Sequence, residues 1–164
     1  MSPDKAQLQR AASVEAEVAR ARLARASMQG ERGDVLGAVD QAAEAAFDAG
    51  LVYGYALGAG DQNFQEESRR ILESAQDLLR NWVLISERRA VNPARTAADR
   101  EKQAAAAAGD GAFLEAVYLT GTAYAETGNG DVLEVYTDSW GALRSLCFAH
   151  SPRPVRKLRT KLLR

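Results

Sequence analysis

At 164 residues the chain is long enough to close one core without covalent staples, and its single cysteine, Cys147, excludes an internal disulfide and a thiolate-rich metal cage. Hydrophobic residues make up 46%, charged residues 26% and aromatics 7%, a balance that together with the many alanines favours helices over sheet. A net charge of −1 conceals a split: all 22 acids precede residue 152 and six of the 21 cations follow it, so the body carries −7 and the end +6.

The expected fold is all-α, a single-domain bundle of about five to six helices over residues 1–152, followed by a basic amphipathic tail at 153–164. Four Gly-Asp pairs, at Gly33, Gly60, Gly109 and Gly130, divide the chain. In each, glycine suits the left-handed turn that ends a helix and aspartate accepts from the first free amides of the next.

The first predicted helix, about 4–29, places Leu8, Ala11, Val14, Val18, Ala21 and Met28 on one face and charges elsewhere. The second, about 34–59, carries a row of small residues described below. The third, about 64–89, shows a seam of Ile71, Ala75, Leu78, Trp82 and Ile85 at alternating steps of four and three. Asn92-Pro93 then breaks the chain. A helix opening at Thr96 follows, with no large apolar residue to anchor it, and is expected to be a mobile arm.

The fifth helix, about 111–127, aligns Phe113, Val117, Gly121 and Tyr124; the sixth, about 131–148, aligns Leu133, Tyr136, Trp140, Leu143 and Cys147. A short turn makes these two an antiparallel hairpin. The final segment spaces Val155, Leu158 and Leu162 as a short basic helix.

Ala42, Ala46, Gly50, Gly54 and Gly58 recur every four residues in the second helix. Each glycine costs a helix interior about 1 kcal/mol relative to alanine, so a backbone must lie close against the row to offset it. The neighbour is expected to be the third or sixth helix, or the second helix of another copy. Ala46, Gly50, Tyr53, Gly54 and Gly58 are the candidate protein interface, with tyrosines beside the row suited to a wet-edged contact.

Chemistry-bearing constellations are few. His150 stands three residues after Cys147, a spacing that a catalytic pair and a buried cysteine beside a helix-end histidine explain alike. Asp61-Gln-Asn63 lacks the later ligands of a calcium loop. No phosphate loop, dinucleotide fingerprint or zinc spacing is present, so no cofactor, metal or catalytic residue is assigned. The longest uncharged run, residues 49–60, falls short of the ~20 residues a bilayer span requires. No membrane partner is expected, and the lone thiol fits the cytoplasm.

Arginine dominates over lysine, and guanidinium forks suit phosphates. Candidate contacts to the backbone of RNA or single-stranded DNA are Arg20, Arg22, Arg25, Arg69 and Arg80 in the body and Arg153, Arg156, Lys157, Arg159, Lys161 and Arg164 in the tail. In size, helical character and lack of catalytic residues, the chain resembles the small helical subunits of CRISPR effector complexes. That resemblance implies a non-catalytic subunit of a ribonucleoprotein-like assembly, packing on other protein subunits or copies of itself. Gly121, Tyr124 and Gly128 also make residues 113–143 similar to a tetratricopeptide hairpin. The alternative it implies is a peptide-binding adaptor whose groove would be lined by Tyr118, Tyr124, Tyr136 and Trp140.

Overall fold

A computed structural model describes residues 4–83, 87 and 91–150, with side chains as far as Cys147. The described residues form α1 (Lys5–Glu31), α2 (Val35–Ala59), α3 (Gln62–Arg80), α4 (Ala97–Gly109), α5 (Phe113–Thr127) and α6 (Leu133–His150), with a 3-10 turn at Gly130–Val132 ahead of α6. The all-helical bundle is as the composition implies.

The first three helices start where carboxylates cap them. Asp4 and Gln7 close a reciprocal capping box on α1, Asp34 accepts from the Gly37 amide, and Asp61 accepts from the Phe64 amide. Gly33 and Gly60 adopt positive φ in front of the last two, as the Gly-Asp reading expects. The other two pairs behave differently. The left-handed residues there are Gly111 and Gly128, and Ala112, the residue ahead of α5, gives that helix no side-chain cap.

α1 turns a different face inward from the one its bulky residues suggest. Ala12, Ala16, Ala19 and Ala26 are fully buried, whereas Val14 and Met28 are 58% and 50% exposed. The reason is distance: α1 lies chiefly against α2, itself rich in buried alanines, and methyl-covered surfaces approach more closely than branched ones allow. α3 runs beside both, tied to α1 by Gln9 with Asp61 and by an Arg20–Glu67 ion pair.

Two further expectations change. α3 ends at Arg80, and Trp82 leaves the helical path to lie in the space that the absent side chain of Gly30 leaves open. Of its seam, Ile71 and Ala75 are buried, Leu78 is half-buried, and Leu72 and Leu79 share the core; Ile85 lies outside the described residues. α4 is not a loose arm. Ala104 and Ala107 are buried in the bundle, and Arg100, 1% exposed, anchors the helix by bonding the Ala94 and Arg95 carbonyls and pairing with Glu126.

Within the chain, Gly50 and Gly54 of the row meet α5 rather than α3 or α6. A Cβ on Gly50 would collide with the Tyr118 carbonyl, and one on Gly54 would stand 2.9 Å from the Thr122 oxygen. Gly58 faces the Leu8 side chain of α1 instead. The row winds about the helix, so one neighbour takes its middle and another its end. α5 is accordingly enclosed, with every residue from Leu114 to Ala123 buried.

Candidate functional site

Four of the five body arginines named as candidate phosphate contacts are engaged within the chain. Arg20 pairs with Glu67, Arg80 with Asp77 at 3.1 Å, and Arg22 bridges Glu44 and Asp48, donating its Nε–H to Asp48 at 2.7 Å. Arg69 lies 5.5 Å from the Tyr53 ring centre and donates to that hydroxyl, which raises the guanidinium pKa. Arg25 alone is exposed without an ion pair to the described residues. Arg153, Arg156, Lys157, Arg159, Lys161 and Arg164, and the basic helix expected there, lie outside the described residues, as does the His150 side chain.

Among the candidate interface residues, Ala46, Gly50, Tyr53 and Gly54 are buried within the chain, and Gly58 is exposed. Tyr118 is enclosed as well, its hydroxyl 2.9 Å from Ser68 Oγ, so it lines no groove. Cys147 is a buried thiol. Burial first, then the charges of Asp40 and Asp34, push its pKa up and disfavour the nucleophilic thiolate.

What the fold does assemble is an aromatic face between α2 and α6. Tyr136 stacks on Phe47 with centroids 4.6 Å apart and planes 13° from parallel; Trp140 follows, 6.0 Å from Tyr136. The Arg144 guanidinium ends the column 6.0 Å from the indole centre. Asp40 fixes this end: it accepts the Trp140 indole N–H at 2.6 Å and lies 3.5 Å from Arg144. Steps of four along α6 put Tyr136, Trp140 and Arg144 in line, and antiparallel packing brings Phe47 and Asp40 of α2 to meet them.

All four aromatic or cationic groups keep part of their surface in water. Below Tyr136 lies the Arg22, Glu44 and Asp48 cluster, where burial raises the Asp48 carboxyl to about 6 against the opposing pull of Arg22. Burial, with Glu44 next, raises the Tyr136 hydroxyl to about 12. The arrangement is rigid, aromatic and acid-rimmed. It brings aromatic edges and charged groups together where water reaches them, and it holds no nucleophile beside a base.

Elsewhere, a cavity of about 260 Å³ opens between α4, α5 and the 3-10 turn, walled by Glu101, Asp131, Asn129 and Val135. Its buried hydroxyl, on Thr120, donates to the Ala116 carbonyl. Among the described residues no three His, Cys, Asp or Glu side chains converge to hold a metal, and no helix is long and apolar enough to cross a membrane. Asp61 accepts from the Phe64 amide through one carboxylate oxygen and from Gln9 through the other. No family model, no curated protein and no solved structure matches the chain.

Tyr136 and Trp140 were visible in the sequence as an aromatic pair at helical spacing. Their partners Phe47 and Asp40, about a hundred residues away, carried no signal beyond their places on α2.

Proposed function

We propose that the protein is a non-catalytic helical subunit of a larger cytoplasmic assembly, and that it docks on another protein through the Phe47–Tyr136–Trp140 face. The observation that carries this reading is the aromatic column itself, preorganised by the Asp40 bond to Trp140 yet left partly in water. Aromatic side chains held rigid by a second layer lose little entropy on binding and dominate protein interfaces.

A second reading, contact with nucleic-acid backbone in a ribonucleoprotein of the kind the CRISPR small subunits represent, rests on the exposed Arg25 and the six cations of 153–164. The internal pairing of Arg20, Arg22, Arg69 and Arg80 counts against it. Two measurements separate them. Tyr136→Ala with Trp140→Ala is expected to abolish co-purification of specific proteins from the expressing cells while the far-UV circular dichroism persists. Unchanged co-purification overturns the first reading. Salt-sensitive binding of single-stranded RNA to that same variant supports the second.

A further inference from the structure

The outer side of α1 is as patterned as its buried side. Val14 and Met28 stand exposed on it, with Ala21, also exposed, midway between them. Seven residues make almost two full turns, so the three lie in one line along the helix. Glu17 and Arg25 flank Ala21 four residues to either side. Both are exposed, and neither pairs with a described residue, unlike Arg20 and Arg22 on the same helix.

The pattern is symmetric about Ala21. Reversing the helix about that residue sets Val14 opposite Met28 and brings Glu17 level with Arg25; only farther out, beyond the apolar contacts, does it bring like charges level, Arg10 with Arg32. Isologous contacts require this property, because one patch must complement itself after a two-fold rotation. A parallel pairing would instead place Glu17 against Glu17 and Arg25 against Arg25. The small residue at the centre lets two helices approach to the short end of the usual 8–10 Å separation.

We infer that the outer face of α1 binds a second copy of this chain, antiparallel and two-fold symmetric, with Ala21 at the axis, Val14 on Met28 of the partner subunit, and Glu17 paired with Arg25 of the partner subunit. The surface lies on α1, whereas the aromatic face is built from α2 and α6. Three apolar residues per copy and two ion pairs make a small interface, so the dimer dissociates at micromolar concentrations.

Sedimentation velocity of the full-length protein over about a hundredfold range of concentration tests this. A reversible monomer–dimer equilibrium is expected. Glu17→Arg and Arg25→Glu, each of which brings like charges together, are expected to raise the dissociation constant at least about tenfold, and the double exchange to restore it to within about threefold. Ala21→Arg is expected to leave only monomer. All three positions are exposed, so the circular dichroism of every variant stays that of the parent. A parent that is monomeric throughout, single exchanges that dimerise like the parent, or a double exchange that restores nothing would each overturn the inference.

Discussion

Gly50 of α2 and Gly121 of α5 meet backbone to backbone: a Cβ built on Gly50 would lie 2.9 Å from the Gly121 Cα, and one built on Gly121 would lie 3.1 Å from the Gly50 Cα. Each such Cβ also runs into a main-chain carbonyl, that of Tyr118 or Phe47, which cannot swing aside. Thr122 fastens the crossing by donating its hydroxyl to the Gly50 carbonyl at 3.0 Å. Gly50→Ala and Gly121→Ala are therefore expected to cost about 2–4 kcal/mol, overpacking outweighing the roughly 1 kcal/mol of helix propensity gained. Urea unfolding measures it; a midpoint equal to the parent's would show that the helices can part at no cost.

Gly141 provides the opposite case. It lies inside α6 with nothing within 4 Å of where its Cβ would stand, so it has none of the packing reason that Gly50 has. Gly141→Ala is expected to stabilise the fold by about 0.5–1 kcal/mol and raise the melting temperature by roughly 2–4 °C. Gly58→Ala, whose new methyl meets only the flexible Leu8 side chain, falls between the two. A melting curve that drops for Gly141→Ala would reject this account.

The helices were legible because their ends are written locally, in Asp34, Asp61 and the glycines before them. So was the need for a close neighbour along the Gly50 row. Which neighbour came was not legible, since spacing along one helix says nothing of the others. The inward face of α1 was misread for a related reason. Hydrophobicity ranks Val14 above Ala16, but closeness of approach to α2 selects the alanines. Nothing in the sequence marked Arg100, whose burial depends on the carbonyls of Ala94 and Arg95 and on Glu126. The aromatic face joins residues from two distant segments, so sequence offered half of it.

Glu87 supplies the cap that α5 lacks. Its carboxylate accepts from the Leu114 amide at 2.7 Å and the Glu115 amide at 3.1 Å, while Gln76 donates to it at 3.1 Å. Burial nevertheless raises its pKa to about 7, the three hydrogen bonds offsetting only part of the desolvation. The folded chain thus binds the Glu87 proton more tightly than the unfolded one. The resulting stability is fully present below the unfolded carboxyl range near pH 4.5 and is lost as pH rises to about 7. Glu87→Gln removes the titration and is expected to flatten that decline in a series of melts from pH 5 to 8, by on the order of 2 kcal/mol in all. A slope identical to the parent's would show that Glu87 stays ionised throughout.

Arg100 and Gln103 together clamp the segment that leads into α4. Arg100 donates to the Ala94 carbonyl at 2.7 Å and the Arg95 carbonyl at 3.0 Å and pairs with Glu126 on α5, while Gln103 accepts the Ala94 amide at 2.8 Å and donates to the Asn92 carbonyl at 3.0 Å. Burial lowers the guanidinium pKa, but its ordinary value is so high that it stays charged. A lysine at that position has one point charge where the planar fork reaches three oxygens. Arg100→Lys is therefore expected to cost about 2–4 kcal/mol, because one ammonium inside the bundle cannot meet all three oxygens at once. Because the loss is centred on the clamp, amide exchange at Ala94 should accelerate more than exchange within α2. Equal acceleration at both would mean that Arg100 serves global stability alone, and an unchanged melting temperature would mean that the clamp holds nothing.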